Sequence, residues 1–408
     1  MPADPISLDS LYSQAAARVQ LIPQMGGVQP EFPFTFGLPD EASFPSKAML
    51  KVSRSVFTDD IGKALQYGSY QGAPELRQVV AERLRRLEGV EIGLESVMIT
   101  NGSSQAIGLV AQALVDPGDT ILVEGPTFLG AVRTFELFGP RVVEVPLDDR
   151  GLRIDALTRI LEDLRREGVQ PKFIYTLPNF HNPAGVTLTL DRRRALLKLA
   201  ERFGVPVLED DAYGELRFEG RSLPSLLSLD STGLVIRTGT FSKILGAGLR
   251  LGFIAGREDV VKRMVALKVD GGTNPVASHL AVQFARQGLL DKHIRKLRTV
   301  YRARRDAMLE ALEQHCAPYA TWTRPQGGFF VWLDFKPGVD PARVFEEAQA
   351  RGVAYLRGPA CYSSGRGANH ARLAFSYLTA EQIREGIARL GQALAAAQRV
   401  PVAAGVGG

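Results

Sequence analysis

Between residues 96 and 256, short apolar runs rich in Val, Ile and Leu alternate with segments of helical periodicity, and this alternation leaves few folds open. Strands are predicted at 96–100, 120–124, 141–146, 172–178, 206–210, 234–240 and 251–256. A helix is predicted over 102–116, where Ile107, Val110, Ala111, Leu114 and Val115 follow a spacing of mainly three and four, one stripe facing a sheet. Only about ten residues separate the last two strands, too few for the crossover that parallel neighbours need. The final strand should therefore run antiparallel to its predecessor. The expected fold class is α/β: a mixed, mostly parallel seven-stranded sheet flanked by helices.

Downstream, residues 275–313 read as one or two long helices, and GGFFVWLDF, from Gly327, opens a smaller α+β unit. A chain of 408 residues has room for two or three domains. The expected division is an N-terminal arm with part of the small domain at 1–45, a large domain at 46–275, a small domain at 276–395 and a flexible tail at 396–408.

Composition excludes several classes of function. Hydrophobic residues at 45% and charged ones at 23% fit an ordinary soluble domain rather than a disordered or disulfide-stapled one. The net charge is +5 and the pI near 9.2, yet basic residues are interspersed with acids. The densest basic stretch, 292–305, has helical spacing and reads as a solvated face, so no nucleic-acid partner is expected. Two cysteines, Cys316 and Cys361, fit a reducing compartment. No basic segment leads into an apolar run at the N-terminus, and no run of about 18 apolar residues occurs, so no membrane span is expected and the cytoplasm is the expected location.

Five segments carry candidate chemistry. In TNGSSQAIGLV a strand ends in a small polar turn that opens a helix, so the free amides at Gly102, Ser103 and Ser104 suit a phosphate; the same residues also suit a simple helix cap. PNFHNPAG, with two prolines, presents Asn182 at a strand's C-terminal end, where it can hydrogen-bond a ring hydroxyl or serve as an Asn-Pro turn. His181 reads as a packing residue. VPVLEDDAYGEL ends a strand in three acids, which fit solvated carboxylates, a magnesium site, or one carboxylate aimed at a cationic ring nitrogen. Asp210 is the choice for the last role, because it leaves Tyr213 free to reach the same ring. RTGTFSKILGAGLRLGF delivers Thr240, Lys243 and Arg250 into a glycine-rich loop, where Lys243 can be a nucleophile. Finally, NHARLAFSY carries Arg372, whose guanidinium can hold a carboxylate bidentately. The third glycine of the 246–252 run falls one position late for a dinucleotide fingerprint, and no phosphate-binding lysine motif of the nucleotide type exists.

Taken in order, these motifs resemble the fold type I pyridoxal phosphate enzymes, specifically class I/II aminotransferases, from FGLPD near residue 36 to Arg372. The nearest branch by likeness contains aminoadipate and kynurenine aminotransferases and the aminotransferase-like domains of MocR regulators. The resemblance implies pyridoxal 5'-phosphate as cofactor, bound by Lys243 as a Schiff base, with Asp210 on the pyridine nitrogen and Tyr213 and Asn182 on the ring oxygen. Phe128 matches the aromatic that stacks on the ring. Gly102, Ser103, Ser104, Thr240 and Arg250 match the phosphate site, Tyr67 matches a tyrosine reaching the phosphate of the partner in a homodimer, and Arg372 matches the clamp for the substrate α-carboxylate. The implied reaction moves the amino group of an L-amino acid to a 2-oxo acid, 2-oxoglutarate being the expected acceptor.

A β-lyase, an oxidase or a cyclising enzyme would begin with the same α-proton loss, and the motifs do not separate these outcomes. A cofactor-sensing regulator would need a DNA-binding domain ahead of the strands, and about 35 residues precede FGLPD. Side-chain specificity stays open: Arg18 is the one arginine that the N-terminal arm offers to a distal carboxylate, while Gly37 with its neighbouring Phe and Pro residues, or Asn274 and Pro275, suits an apolar pocket.

Overall fold

The computed structural model describes residue 8, residues 11–18 and residues 30–398. The large sheet contains β2 (Val97–Thr100), β3 (Thr120–Gly125), β4 (Arg141–Asp148), β5 (Gly151–Leu152), β6 (Ile174–Thr176), β7 (Val207–Asp211), β8 (Val235–Thr240) and β9 (Gly252–Ala255). Their order across the sheet is β2-β9-β8-β7-β6-β3-β4-β5. Neighbours from β8 to β4 are parallel, and β9 runs antiparallel to both β2 and β8.

All seven expected strands are present, each end within two residues of its expected place, and the last is antiparallel as its short connection requires. The sheet nevertheless has eight strands rather than seven. The addition, β5, is a two-residue return that pairs Gly151 with Asp148 and Leu152 with Leu147, too short to show any period in the sequence.

The helix expected over 102–116 spans Ser103–Leu114 and buries Ala106, Ile107, Leu109, Val110 and Ala111. Its N-terminus follows β2 directly. The sequence 275–313 forms two helices, Pro275–Arg286 and Leu289–His315, divided at Gly288, whose φ of 69° is left-handed and favours glycine.

A second, four-stranded antiparallel sheet contains β10 (Ala320–Trp322), β11 (Phe330–Phe335), β13 (Leu356–Arg357) and β14 (His370–Ala374) in the order β10-β11-β14-β13. Near the N-terminus, β1 (Phe32–Pro33) pairs in parallel with β12 (Val353–Ala354), and the chain then runs as residues 34–40 toward the C-terminal ends of β7 and β8. The long helix Leu289–His315 packs against Ala380–Ala396. The fraying expected for 396–408 concerns, beyond Gln398, positions outside the described residues. Among the described residues no helix is long and apolar enough to cross a membrane.

Candidate active site

The acids that end β7 divide by the two-residue period of a strand. Glu209 and Asp211 point to one face and are spent on structure. Glu209 accepts the amides of Leu226 and Leu227 at 2.9 and 3.0 Å and lies 3.6 Å from Arg237. Asp211 accepts Arg237 at 2.6 Å, the Gly214 amide at 2.9 Å and Asn179 at 3.1 Å.

Asp210 points to the other face. It accepts the Tyr175 hydroxyl at 2.7 Å and the Thr238 hydroxyl at 3.3 Å, and no cation lies within ion-pair distance among the described residues. Burial pushes its pKa up to about 6, with the Tyr175 hydrogen bond working against that rise. Tyr175, which sequence reasoning did not single out, stands in a fully buried strand; a buried phenol there has to find a partner, and that is the signal for it.

Lys243 lies in a wide helical turn, Ser242–Gly246, that directly follows β8. Its Nζ donates to the Gly37 carbonyl at 3.1 Å and sits 5.8 Å from the Phe329 ring. Burial first, then the positive charges of Arg372 and Arg250, lower its pKa to about 8, so roughly a tenth of the amine is neutral at pH 7, far more than for an ordinary lysine.

The return strand β9 brings Arg250 and Gly252 against the start of the helix Ser103–Leu114. A Cβ on Gly252 would lie 2.6 Å from both the Gly102 carbonyl carbon and the Ser103 nitrogen. Gly102 has φ 82°, and a Cβ there would lie 2.5 Å from Arg250 Nη2. Glycine at both positions thus holds open a cradle formed by the first helix amides, the Arg250 guanidinium and, from the end of β8, Thr240, whose hydroxyl is 3.0 Å from that of Ser242. Asp270 braces the rim, accepting Asn101 Nδ2 at 2.7 Å and Gln105 Nε2 at 2.6 Å.

The segment 178–185 makes the opposite wall. It contains Phe180 at φ 47° and a cis Asn182–Pro183 bond. Arg372, at 8% exposure, donates to Asn182 Oδ1 at 2.7 Å and to the Thr35 carbonyl at 2.5 Å, and among the described residues its Nε has no partner. Its guanidinium lies 4.3 Å over the Phe330 ring. Gly37 fits closely here, since a Cβ would lie 2.4 Å from Phe330 Cζ. Tyr213 packs on Phe329 and Phe330 with ring centroids 5.2 and 5.8 Å away, and burial holds its hydroxyl protonated.

Lys243, Asp210, Tyr213, Asn182, Arg372 and Gly37 are therefore brought to one place, with Gly102, Ser103, Ser104, Thr240 and Arg250 forming the adjoining cradle. Phe128 follows the end of β3 with its ring turned back over Gly130, where a Cβ would meet it at 2.4 Å. Tyr67 is 88% exposed, beside Gly271 on the outer side of the Asp270 loop. Arg18 does not reach the site. Its guanidinium lies against Gly139, ahead of β4 and so at the far end of the parallel strands. Asn274 caps the helix Pro275–Arg286 by accepting the Ala277 amide at 3.1 Å, which commits its side chain.

This combination of a buried amine, a buried carboxylate without a cation and an amide-lined anion cradle at strand C-termini defines a class of enzyme, and the comparisons with known proteins agree. Residues 37–390 match the family described as aminotransferase class I and II. The chain is 40% identical over 360 residues to the aromatic-amino-acid aminotransferase 1 of Thermococcus litoralis, covering 88% of this chain and 86% of that one. It is 34% identical over 403 residues to the 2-aminoadipate transaminase of Thermus thermophilus, covering 96% and 98%. Among solved structures, the Pyrococcus horikoshii kynurenine aminotransferase in complex with PMP superposes with a TM-score of 0.90 at 36% identity, covering 95% of this chain and 98% of that one. The chain belongs to the class I and II aminotransferases. It is a pyridoxal 5'-phosphate-dependent aminotransferase of fold type I.

The residues present fit that cofactor. The cradle, which a side chain at position 102 would fill, suits a phosphate; Asp210, without a counter-cation, suits a protonated ring nitrogen; and Lys243 supplies the amine for an aldehyde.

Proposed function

We propose that this enzyme transfers the amino group of an L-amino acid with an aromatic side chain to 2-oxoglutarate, in two half-reactions at one site, as a cytoplasmic homodimer. The observation that carries the donor preference is the wall around Lys243: Tyr213, Phe329 and Phe330 pack together, Phe36 and Leu38 stand about half exposed on either side of Gly37, and the cations acting on the amine are Arg372 and Arg250. One guanidinium serves the phosphate cradle and the other an α-carboxylate, so an apolar side chain meets apolar surface. The names of the Thermococcus and Pyrococcus relatives support the same class of donor.

When bound, pyridoxal phosphate supplies an aldehyde that links to amines and a ring that withdraws electrons from the substrate α-carbon. Everything else is done by side chains. Asp210 keeps the ring nitrogen protonated, and the burial that raises its own pKa makes a cation there favourable. Ser103 and Ser104, through their amides, and Thr240 and Arg250 hold the phosphate, while Gly102, whose amide donates to the Thr100 carbonyl at 2.8 Å rather than standing free as expected, keeps the approach clear of a side chain. Tyr213 and Asn182 hold the ring oxygen, and Phe128 covers one ring face. Arg372, whose Nε is unpartnered, clamps the α-carboxylate and orients the α-hydrogen toward Lys243. Lys243, as a neutral amine, would take that proton from the α-carbon as general base and, as general acid, return it to the cofactor's aldehyde carbon, two atoms along.

Support for the dimer comes from Leu50, Phe57, Ile61, Leu65 and Tyr67, large apolar side chains exposed along one stretch of chain, the kind of surface a second copy covers. Tyr67 then serves the phosphate cradle of the partner subunit. The two buried cysteines, both free, support a reducing compartment.

A panel of amino acids with 2-oxoglutarate, read by glutamate formation, tests the reading. Tyrosine and phenylalanine should exceed 2-aminoadipate and aspartate by at least about tenfold in kcat/KM, a difference of about 1.4 kcal/mol. Preference for the acidic donors would overturn the specificity, and ammonia released without glutamate would overturn transamination. Lys243→Ala should lose both the visible absorption of bound cofactor and turnover.

A further inference from the structure

Two fully buried ionisable side chains beside the site have no part in the chemistry proposed above. Glu124, in β3, is 1% exposed, and His181, immediately before Asn182, is 2% exposed. Glu124 accepts the Thr176 hydroxyl at 2.9 Å and the Leu177 amide at 2.8 Å, which ties β3 to the end of β6. Its Oε2 lies 3.1 Å from His181 Nε2.

The other ring nitrogen of His181, Nδ1, accepts the Ala184 amide at 3.2 Å. An amide can donate only to an unprotonated nitrogen, so the ring proton is on Nε2 and faces the carboxylate. The His181 main chain closes the same loop, donating to the Val186 carbonyl at 2.8 Å and accepting the Gly185 amide at 2.6 Å. The imidazole is thus held by a hydrogen bond at Nδ1, while Nε2 makes a close approach to the carboxylate whose angle falls outside hydrogen-bond geometry. The next residue is Asn182, whose Oδ1 accepts Arg372 Nη1 at 2.7 Å.

We infer that Glu124 and His181 form a positioning pair that fixes the Asn182 side chain and, through it, the guanidinium of Arg372. The inference rests on the roles proposed above for Asn182 and Arg372. This loop needs a tether: Phe180 is held at φ 47°, a region that L residues with a large side chain rarely adopt, so the segment departs from its locally preferred conformation. Glu124 joins three pieces of backbone at one point, the ends of β3 and β6 and the loop. Among the described residues neither side chain hydrogen-bonds a residue proposed to touch the reacting atoms. Their effect is to hold the Arg372 guanidinium in the pose that grips a carboxylate, so that their loss is read in substrate binding rather than in turnover.

Two substitutions separate the ring's two contacts. His181→Asn keeps an acceptor for the Ala184 amide but falls short of Glu124, whereas His181→Gln extends an amide donor to Glu124. Both are measured as holoenzymes, with KM and kcat for the amino acid and the oxo acid and the visible absorption of the cofactor. The Asn variant should raise KM for both substrates about tenfold, equivalent to about 1.4 kcal/mol, with kcat changed less than about twofold. The Gln variant should stay within about threefold of the unsubstituted enzyme in KM. Equal KM values in the Asn variant and the unsubstituted enzyme would overturn the inference, as would equal rises in the two variants. Loss of the folded holoenzyme in the Asn variant would also overturn it, by making the pair a folding element. Absence of transamination in the unsubstituted enzyme would instead refute the proposed function, and that is read before either variant.

Discussion

Replacing Asp210 by asparagine should stabilise the cofactor-free protein at neutral pH while weakening its hold on the cofactor. The carboxylate is buried against two hydroxyls with no cation, and its pKa stands at about 6 against an ordinary 3.8. Between those two values the folded chain retains a proton that the unfolded chain has released. Stability therefore falls as pH rises through this window, and the loss is complete above about pH 6. At about 1.36 kcal/mol for each tenfold change in proton affinity, the gap amounts to roughly 3 kcal/mol at pH 7. Asparagine has no charge to desolvate and keeps both contacts, its Oδ1 accepting the Tyr175 hydroxyl and its amide donating to Thr238. For a chain of this length the gain corresponds to a melting temperature higher by about 3–4 °C. Thermal melts of the two cofactor-free proteins from pH 4 to pH 8 should coincide at the acid end and separate toward pH 7. With cofactor the order reverses, because a buried cation then loses its partner, and the dissociation constant should rise by about a hundredfold or more. A cofactor-free Asp210→Asn protein that melts no higher than the unsubstituted one at pH 7 would refute the reasoning.

The same kind of argument covers two further changes. Because Lys243 reacts as the neutral amine and its pKa is near 8, the rate at which cofactor-free protein takes up pyridoxal phosphate should climb with pH up to about 8 and then level off, followed by the growth of visible absorption; a rate independent of pH between 6 and 8 would contradict the burial argument. Gly252→Ala places a methyl 2.6 Å from backbone atoms of Gly102 and Ser103, which cannot move as a side chain can, so phosphate affinity should fall at least about tenfold, measured by titrating cofactor into the variant.

The acids of β7 show what was legible in the sequence. Choosing Asp210 required only the offset to Tyr213, which is local. Its neighbours' partner, Arg237, comes from the adjacent strand, and so does Thr238; pairing between strands is not written in either segment alone. The glycine-rich stretch around Lys243 was readable as a loop, yet the reason for glycine at 252 is the helix start at 102, about 150 residues earlier. Gly37 was expected near the substrate, but its packing under Phe330 and its carbonyl contact with Lys243 depend on how the arm crosses the molecule. Arg18 shows the converse: residue type and position suited a carboxylate clamp, and the tertiary path of the short helix Gln14–Arg18 carries it to the other end of the strands.

The amine at 243 and the guanidinium at 250 leave the same hairpin of β8 and β9, whereas the guanidinium at 372 is mounted on β14, in the other sheet. On the roles proposed above, cofactor anchorage and carboxylate grip belong to separate frames. Sliding of one frame on the other would lengthen or shorten the reach from bound acid to base and leave the phosphate seat unaltered, so such an enzyme can loosen its hold on product without letting go of its coenzyme.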